Sequence, residues 1–162
     1  MTLLSSLHLM GWVVSFGTGC YFAFILYPSL NEIDDRLLRM RVLARSLRYY
    51  HPIYLFGLCL SFMTGAMMMT ALKINLGASY FDKLLAPLGW KFLFVLLVFN
   101  VAAMQCFGQG LKLGRMAIGV IPGDIETQER YARKIRKTQI FNLGLILVTV
   151  YFGYRLHGVI GL

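Results

Sequence analysis

Three histidines and one lysine are the residues whose types and positions could do chemistry in this sequence. His8 lies in the first apolar stretch, His157 in the last, and Lys91 opens the third, while His51 stands before Pro52 at the head of the second. Two neutral imidazoles facing each other across a helical bundle can ligate haem iron axially. One imidazole with thioether sulfurs suits copper(I), a soft ion. Met10, Met63, Met67, Met68 and Met69 carry such sulfurs, but Met10 falls on the other helical face from His8 and three consecutive methionines cannot share one site. A lysine ammonium is a compact point charge, suited to a propionate carboxylate or to proton donation. Cys20, Cys59 and Cys106 are widely separated, form no CxxC pair and sit in apolar stretches, so they read as small buried hydrophobes. All seven carboxylates lie between the apolar stretches, which excludes proton coupling through paired acids inside a membrane. No GxGxxG, Walker loop, GxSxG or HExxH occurs.

The elements that must position these residues follow from composition. Of 162 residues, 58% are hydrophobic and 14% charged, with a mean hydropathy of +0.66. A soluble domain carries about a quarter charged residues. The balance excludes a soluble globular enzyme, a disordered tail and a DNA-binding domain. Four windows free of charge run over Met1–Asn31, Tyr49–Leu72, Phe92–Leu111 and Thr138–Tyr154. A membrane helix needs about 20 residues, and the last window reaches that if Lys137 and Arg155 snorkel. Strict alternation is absent, so a barrel is excluded. The expected fold is all-α: a transmembrane up-down four-helix bundle forming a single domain over 1–162, with spans near 6–28, 51–72, 89–111 and 135–158. The first window lacks a basic n-region and an A-x-A-like site, and reads as a retained helix rather than a signal peptide.

Charge sets the expected orientation. The formal net charge is +9, and the loops alternate. The first loop holds Arg36, Arg39, Arg41, Arg45 and Arg48, and the third holds Lys112, Arg115, Arg130, Arg133, Lys134, Arg136 and Lys137. The second holds only Lys73 and Lys83, with Lys91 at its edge. The positive-inside rule places loops one and three in the cytoplasm and both termini outside. Membrane topology thus accounts for the basic residues without nucleic acid. His8, His157 and Lys91 then share the outer level, with Met67–Met69 beside them. His51 is about 30 Å away and reads as a helix-start residue. Residues 33–47 either extend the first span or lie on the membrane surface. After Pro122-Gly123, Asp124 reads as the N-cap of the fourth helix, with Glu126–Arg130 and Glu129–Arg133 as i,i+4 pairs.

Small and polar residues mark the inward faces. The first span carries Gly11, Ser15 and Gly19 at four-residue spacing, with His8 on the same face. The second carries Gly57, Ser61, Thr64, Gly65 and Met68, the third Lys91, Val98, Ala102, Gln105 and Gln109, and the fourth Asn142, Thr149, Gly153 and His157. These four faces are expected to meet.

These residues resemble the CopD-like superfamily of bacterial membrane proteins, which includes copper-resistance D domains and the HemJ-type protoporphyrinogen oxidases. The similarity runs through His8-Leu-Met-Gly-Trp12, Gly17-Thr-Gly19, Phe22, Tyr27-Pro28-Ser-Leu30, Thr64-Gly65 and Gly89-Trp90-Lys91, with Asn100 downstream and a basic run entering the last helix. Asn142 stands where HemJ-type members carry an acidic residue. The resemblance implies a multi-pass protein of the bacterial inner membrane with haem b, with His8 and Lys91 as functional residues. It also implies removal of six electrons and protons from protoporphyrinogen IX towards the respiratory chain. The copper-resistance members imply copper handling or transport.

The leading expectation is a cofactor site near the outer face: His8 and His157 as ligands of haem b or a metal, and Lys91 as propionate partner or proton donor. Two other expectations stand beside it. One is a non-catalytic accessory subunit packed against a larger membrane complex through its small-residue rows. The other is copper handling.

Overall fold

In the computed structural model every described element is helical. The structure describes residues 3–77 and 79–160, with the side chains of 75, 76, 79–87 and 156–160 outside that description. The first rod comprises α1 (Leu3–Cys20), a π segment (Tyr21–Leu26), α2 (Tyr27–Ser29) and a 3-10 turn (Leu30–Glu32). The second is one helix, α3 (Arg36–Leu76). The third comprises α4 (Ser79–Ala103), a second π segment (Met104–Gly110) and α5 (Leu111–Ala117). The fourth is α6 (Ile125–Ile160).

Local chemistry explains the boundaries. Pro28 has no N–H to offer the Phe24 carbonyl four residues back, and the turn leading into it is widened to π. Asp35 starts α3, its Oδ1 accepting from the backbone N–H groups of Leu37 and Leu38 at 2.8 and 3.1 Å. Gly77 ends that helix at φ +53°, a left-handed conformation that costs glycine nothing. Asp124 caps α6, its Oδ1 accepting from Thr127 N–H at 3.1 Å. Hydrogen bonds from the Thr127 side chain and backbone hold the Asp124 carboxyl below the usual carboxylate range.

Three expectations are corrected here. The basic segment after residue 33 extends the second span, not the first, because Asp35 nucleates a helix that runs unbroken through Pro52. Its Met40, Leu43 and Leu47 are buried at helical spacing and hold it to the bundle. His51 therefore lies well inside α3 and begins nothing. Glu129 pairs across the bundle rather than along its own helix: Arg39 Nη2 donates to Glu129 Oε1 at 2.6 Å, with Arg36 at 3.8 Å. Glu126 closes no ion pair with Arg130 among the described residues.

Small residues set the closest approach. A methyl group on Gly11 would meet the Gly57 carbonyl at 2.7 Å and Ser61 N at 2.8 Å, and one on Gly57 would meet the Gly11 carbonyl at 2.9 Å. The α1 and α3 backbones are therefore in contact. Gly19 admits Gln139 and Leu143 of α6 instead. Around this seam lies a core of Phe22, Tyr50, Tyr54, Leu58, Val98 and Ile146, all at most 5% exposed. The contacts run in opposite order along each neighbouring pair: His8 to Ser61 and Ser15 to Tyr54 between α1 and α3, Lys91 to Gly153 and Val98 to Asn142 between α4 and α6.

The outside is apolar. Val13, Phe24, Phe56, Met63, Phe107 and Phe141 are each more than half exposed, on all four rods. Water does not tolerate such a continuous surface, and hydrocarbon does. Leu3–Glu32, Arg36–Ile74 and Leu88–Ala117 are long and apolar enough to cross a membrane. The described part of α6 falls short of that apolarity. Gln139 and Asn142 lower it, yet both are fully buried against the other rods and face no lipid.

Candidate functional site

His8 projects from α1 onto the small-residue face of α3. Its ring lies on Gly65, where an added methyl would stand 3.0 Å from His8 Cε1 and press on the ring. His8 Nδ1 is 2.8 Å from the Ser61 carbonyl oxygen and 3.2 Å from Thr64 Oγ1. A carbonyl can only accept, so Nδ1 carries the proton and donates to Ser61 O. The Thr64 hydroxyl donates to Leu60 O at 2.6 Å, leaving its oxygen free to accept from the same imidazole N–H. Trp12, one turn along α1, donates its indole N–H to His8 Nε2 at 3.2 Å, with the rings edge to face at 85°. Both imidazole nitrogens are thus partnered, and the tautomer is fixed by α3.

The imidazole forms part of the wall of a cavity of about 300 Å³, at the small end of the range for cofactor pockets. Its other walls include Met69 and Lys73 from α3 and Lys91, Phe92 and Val95 from α4. Aromatic and aliphatic groups dominate, with one imidazole and two ammonium groups at the edge. Such a lining suits a ligand with an apolar body and anionic substituents. Lys91 also reaches the last rod: a methyl on Gly153 would be 3.3 Å from its Nζ. No ion pair to Lys91 occurs among the described residues.

The structure thus brings His8 and Lys91 to one cavity. His157 lies one turn beyond Gly153 on α6, but its side chain is outside the described residues. His51 is elsewhere: its ring rests on the backbone of Gly110 and against Tyr50, with centroids 5.3 Å apart. Met10, Met63 and Met67 are more than half exposed and turn away from the cavity. Among the described residues no group of three or more His, Cys, Asp or Glu could hold a metal.

No family model, no curated protein and no solved structure matches this chain. Its functional reading therefore rests on its own residues.

A second polar region lies deeper in the bundle. Tyr54 is fully buried and its hydroxyl accepts from Asn142 Nδ2 at 2.8 Å, while the same amide donates to Val98 O at 3.2 Å. Tyr50 stacks on Tyr54 at 5.5 Å and lies tilted against Phe22 at 4.8 Å. Around them Gln105, Gln139, the Tyr50 hydroxyl, His51 Nε2 and Asn142 Oδ1 find no hydrogen bond of good geometry among the described residues, although Gln105 neighbours the Tyr50 hydroxyl and Gln139 that of Tyr54. Gln109 and Thr138 pair weakly at 3.4 Å.

Two features of the His8 site escape the reading of the sequence. Trp12 carries a signal in its i,i+4 spacing from His8, but the donor role needs the ring orientation. Lys73 counts as a loop residue by charge, yet it occupies the last turn of α3 and faces the cavity.

Proposed function

We propose that this chain is a CopD/HemJ-like integral membrane protein that binds haem b beside His8 in a redox role. In this reading the four rods form an up-down bundle in the bacterial inner membrane, α6 is the fourth crossing, and the arginine-rich ends of α3 and α6 face the cytoplasm. Both termini and the His8 cavity face outward. The observation that carries the proposal is the anchoring of His8 Nδ1–H on the Ser61 carbonyl. Ligating histidines ordinarily donate their second ring N–H in this way, which fixes the tautomer and directs Nε2 at the ligand.

The residues fit the group in kind. Haem, when bound, supplies a one-electron redox centre. His8 provides Nε2 once Trp12 releases its weak hydrogen bond. Lys91 and Lys73 place ammonium groups where propionates can meet them, and Lys91 Nζ holds a proton that can be donated at the cavity edge. Phe92 and Val95 exclude water from the apolar part. His157 is proposed as a second ligand, on the ground that its helix passes Lys91 one turn earlier.

Copper(I) is a second reading, favoured by the presence of Met69 in the same cavity as His8. The accessory-subunit reading would need another face, since Gly11, Ser15, Gly57 and Ser61 are spent on contacts within the chain.

The test is the absorption spectrum and metal content of protein purified in detergent. The proposal expects a Soret band that His8→Ala reduces several-fold. Copper without haem would select the second reading. A colourless, metal-free preparation with intact helical circular dichroism would refute both.

A further inference from the structure

A larger cavity lies at the arginine-rich end of the bundle, and the His8 reading makes no use of it. It encloses about 650 Å³ between the end of the first rod, α3 and α6. Arg39, Arg133, Arg136 and Lys137 line it together with one carboxylate, Glu129. Four cations against one anion leave a formal +3. Glu129 is already bound by Arg39 at 2.6 Å, so the remaining cations have no carboxylate to neutralise them within the cavity. Arg133 and Lys137 form no ion pair among the described residues.

Arg136 is pre-positioned. Its Nε donates to the Ala23 carbonyl at 3.3 Å, and its guanidinium lies 5.0 Å from the centre of the Tyr27 ring. Ala23 belongs to the first π segment, whose altered ladder leaves carbonyls able to accept from a side chain. The floor is apolar: Leu30, Met40 and Leu43 are each at most 6% exposed. Ile140, at the rim, is 42% exposed on the apolar outer surface. The cavity therefore sits where the charged and charge-free parts of the chain meet, with cations on one side and a route to lipid on the other.

We propose that this cavity binds the phosphodiester headgroup of an anionic phospholipid. Guanidinium forks match phosphate oxygens in geometry as well as charge. Basic pockets between membrane helices at one bilayer face take such headgroups. A free phosphorylated solute would meet the same cations but leave the apolar floor and the Ile140 rim unused. The inference requires that the chain lie in a bilayer; it does not depend on any cofactor at His8.

The experiment uses the full chain in neutral detergent, with bound lipid counted by native mass spectrometry. Dioleoylphosphatidylglycerol is expected to bind about ten-fold more tightly than dioleoylphosphatidylcholine, in line with the attraction of each basic residue for anionic lipid. The double variant Arg133→Gln/Lys137→Gln removes neither an ion pair nor a cap, and should abolish that preference with helical circular dichroism unchanged. Arg136→Lys keeps the charge and loses the fork, and should lower the preference about three-fold. Equal binding of the two lipids, or a double variant that still prefers phosphatidylglycerol, would overturn the proposal. Excess inorganic phosphate should leave lipid binding intact. Displacement of the lipid by phosphate alone would reassign the site to a soluble anion and overturn the lipid assignment.

Discussion

The bundle contains two polar regions built on different terms. At His8 each imidazole nitrogen has its partner, and the ring is set by a backbone carbonyl of the neighbouring helix. Around Gln105 and Gln139, seven buried side-chain atoms find no partner of good geometry among the described residues. A buried polar atom without a partner costs about 1–3 kcal/mol. The comparison separates a preorganised arrangement, in which each member fixes the next, from a layer held by the apolar packing around it. The first should be most sensitive where α1 and α3 meet and set the ring on its carbonyl. The second should tolerate apolar replacement except where a hydrogen bond exists.

The largest expected effect breaks the first region at its support. Gly57→Val sets a branched side chain against the Gly11 carbonyl and Ser15 N, which lie within about 3 Å of the first added carbon. Because these are backbone atoms, α1 and α3 must separate, at a cost of about 3 kcal/mol or more. Thermal unfolding in detergent measures it, and any Soret band should vanish with the His8–Ser61 contact. A variant as stable as the parent would show that the seam is not the determinant.

Next is Asn142→Leu. It removes the donor to the Tyr54 hydroxyl and Val98 O, and should destabilise by about 2 kcal/mol. Gln139→Leu sharpens the contrast, less than one turn away on α6. Its amide makes no hydrogen bond of good geometry among the described residues and only neighbours the Tyr54 hydroxyl, so the leucine should be neutral or stabilising by up to about 1 kcal/mol. Equal losses for the two variants would mean that Gln139 is satisfied by the Tyr54 hydroxyl or by ordered water, and the distinction drawn between them would fail. The smallest effect belongs to Trp12→Phe. It frees His8 Nε2 while keeping an aromatic ring, and should change stability by about 1 kcal/mol. Haem retention should hold or rise, and a loss comparable to His8→Ala would make Trp12 a supporting residue of the site rather than a competitor for it.

Much of this architecture is legible in the chain because oil imposes simple rules. Windows free of charge mark the rods, and the rows Gly11–Ser15 and Gly57–Ser61 mark the faces that touch. His8 and Lys91 were expected at one level, and they line one cavity. What escaped is non-local. Pro52 looks like a helix boundary, yet a proline inside a packed membrane helix is accommodated by its surroundings. The charge of residues 36–48 hides the buried stripe of Met40, Leu43 and Leu47. Glu129 has a cation four residues ahead on its own helix but binds Arg39, 90 positions away, because the fold brings α3 alongside. The apolarity of α6 is understated by Gln139 and Asn142, whose burial no hydropathy window can detect.

The length of α3 has a mechanical consequence. At about 1.5 Å per residue its 41 residues reach some 60 Å, roughly twice the thickness of bilayer hydrocarbon. What a charge count would draw as a slack tether between crossings is a stiff mast clamped to α6 by the Arg39–Glu129 pair. Because that pair joins the outlying stretches of the two helices, α3 and α6 must move there as one lever.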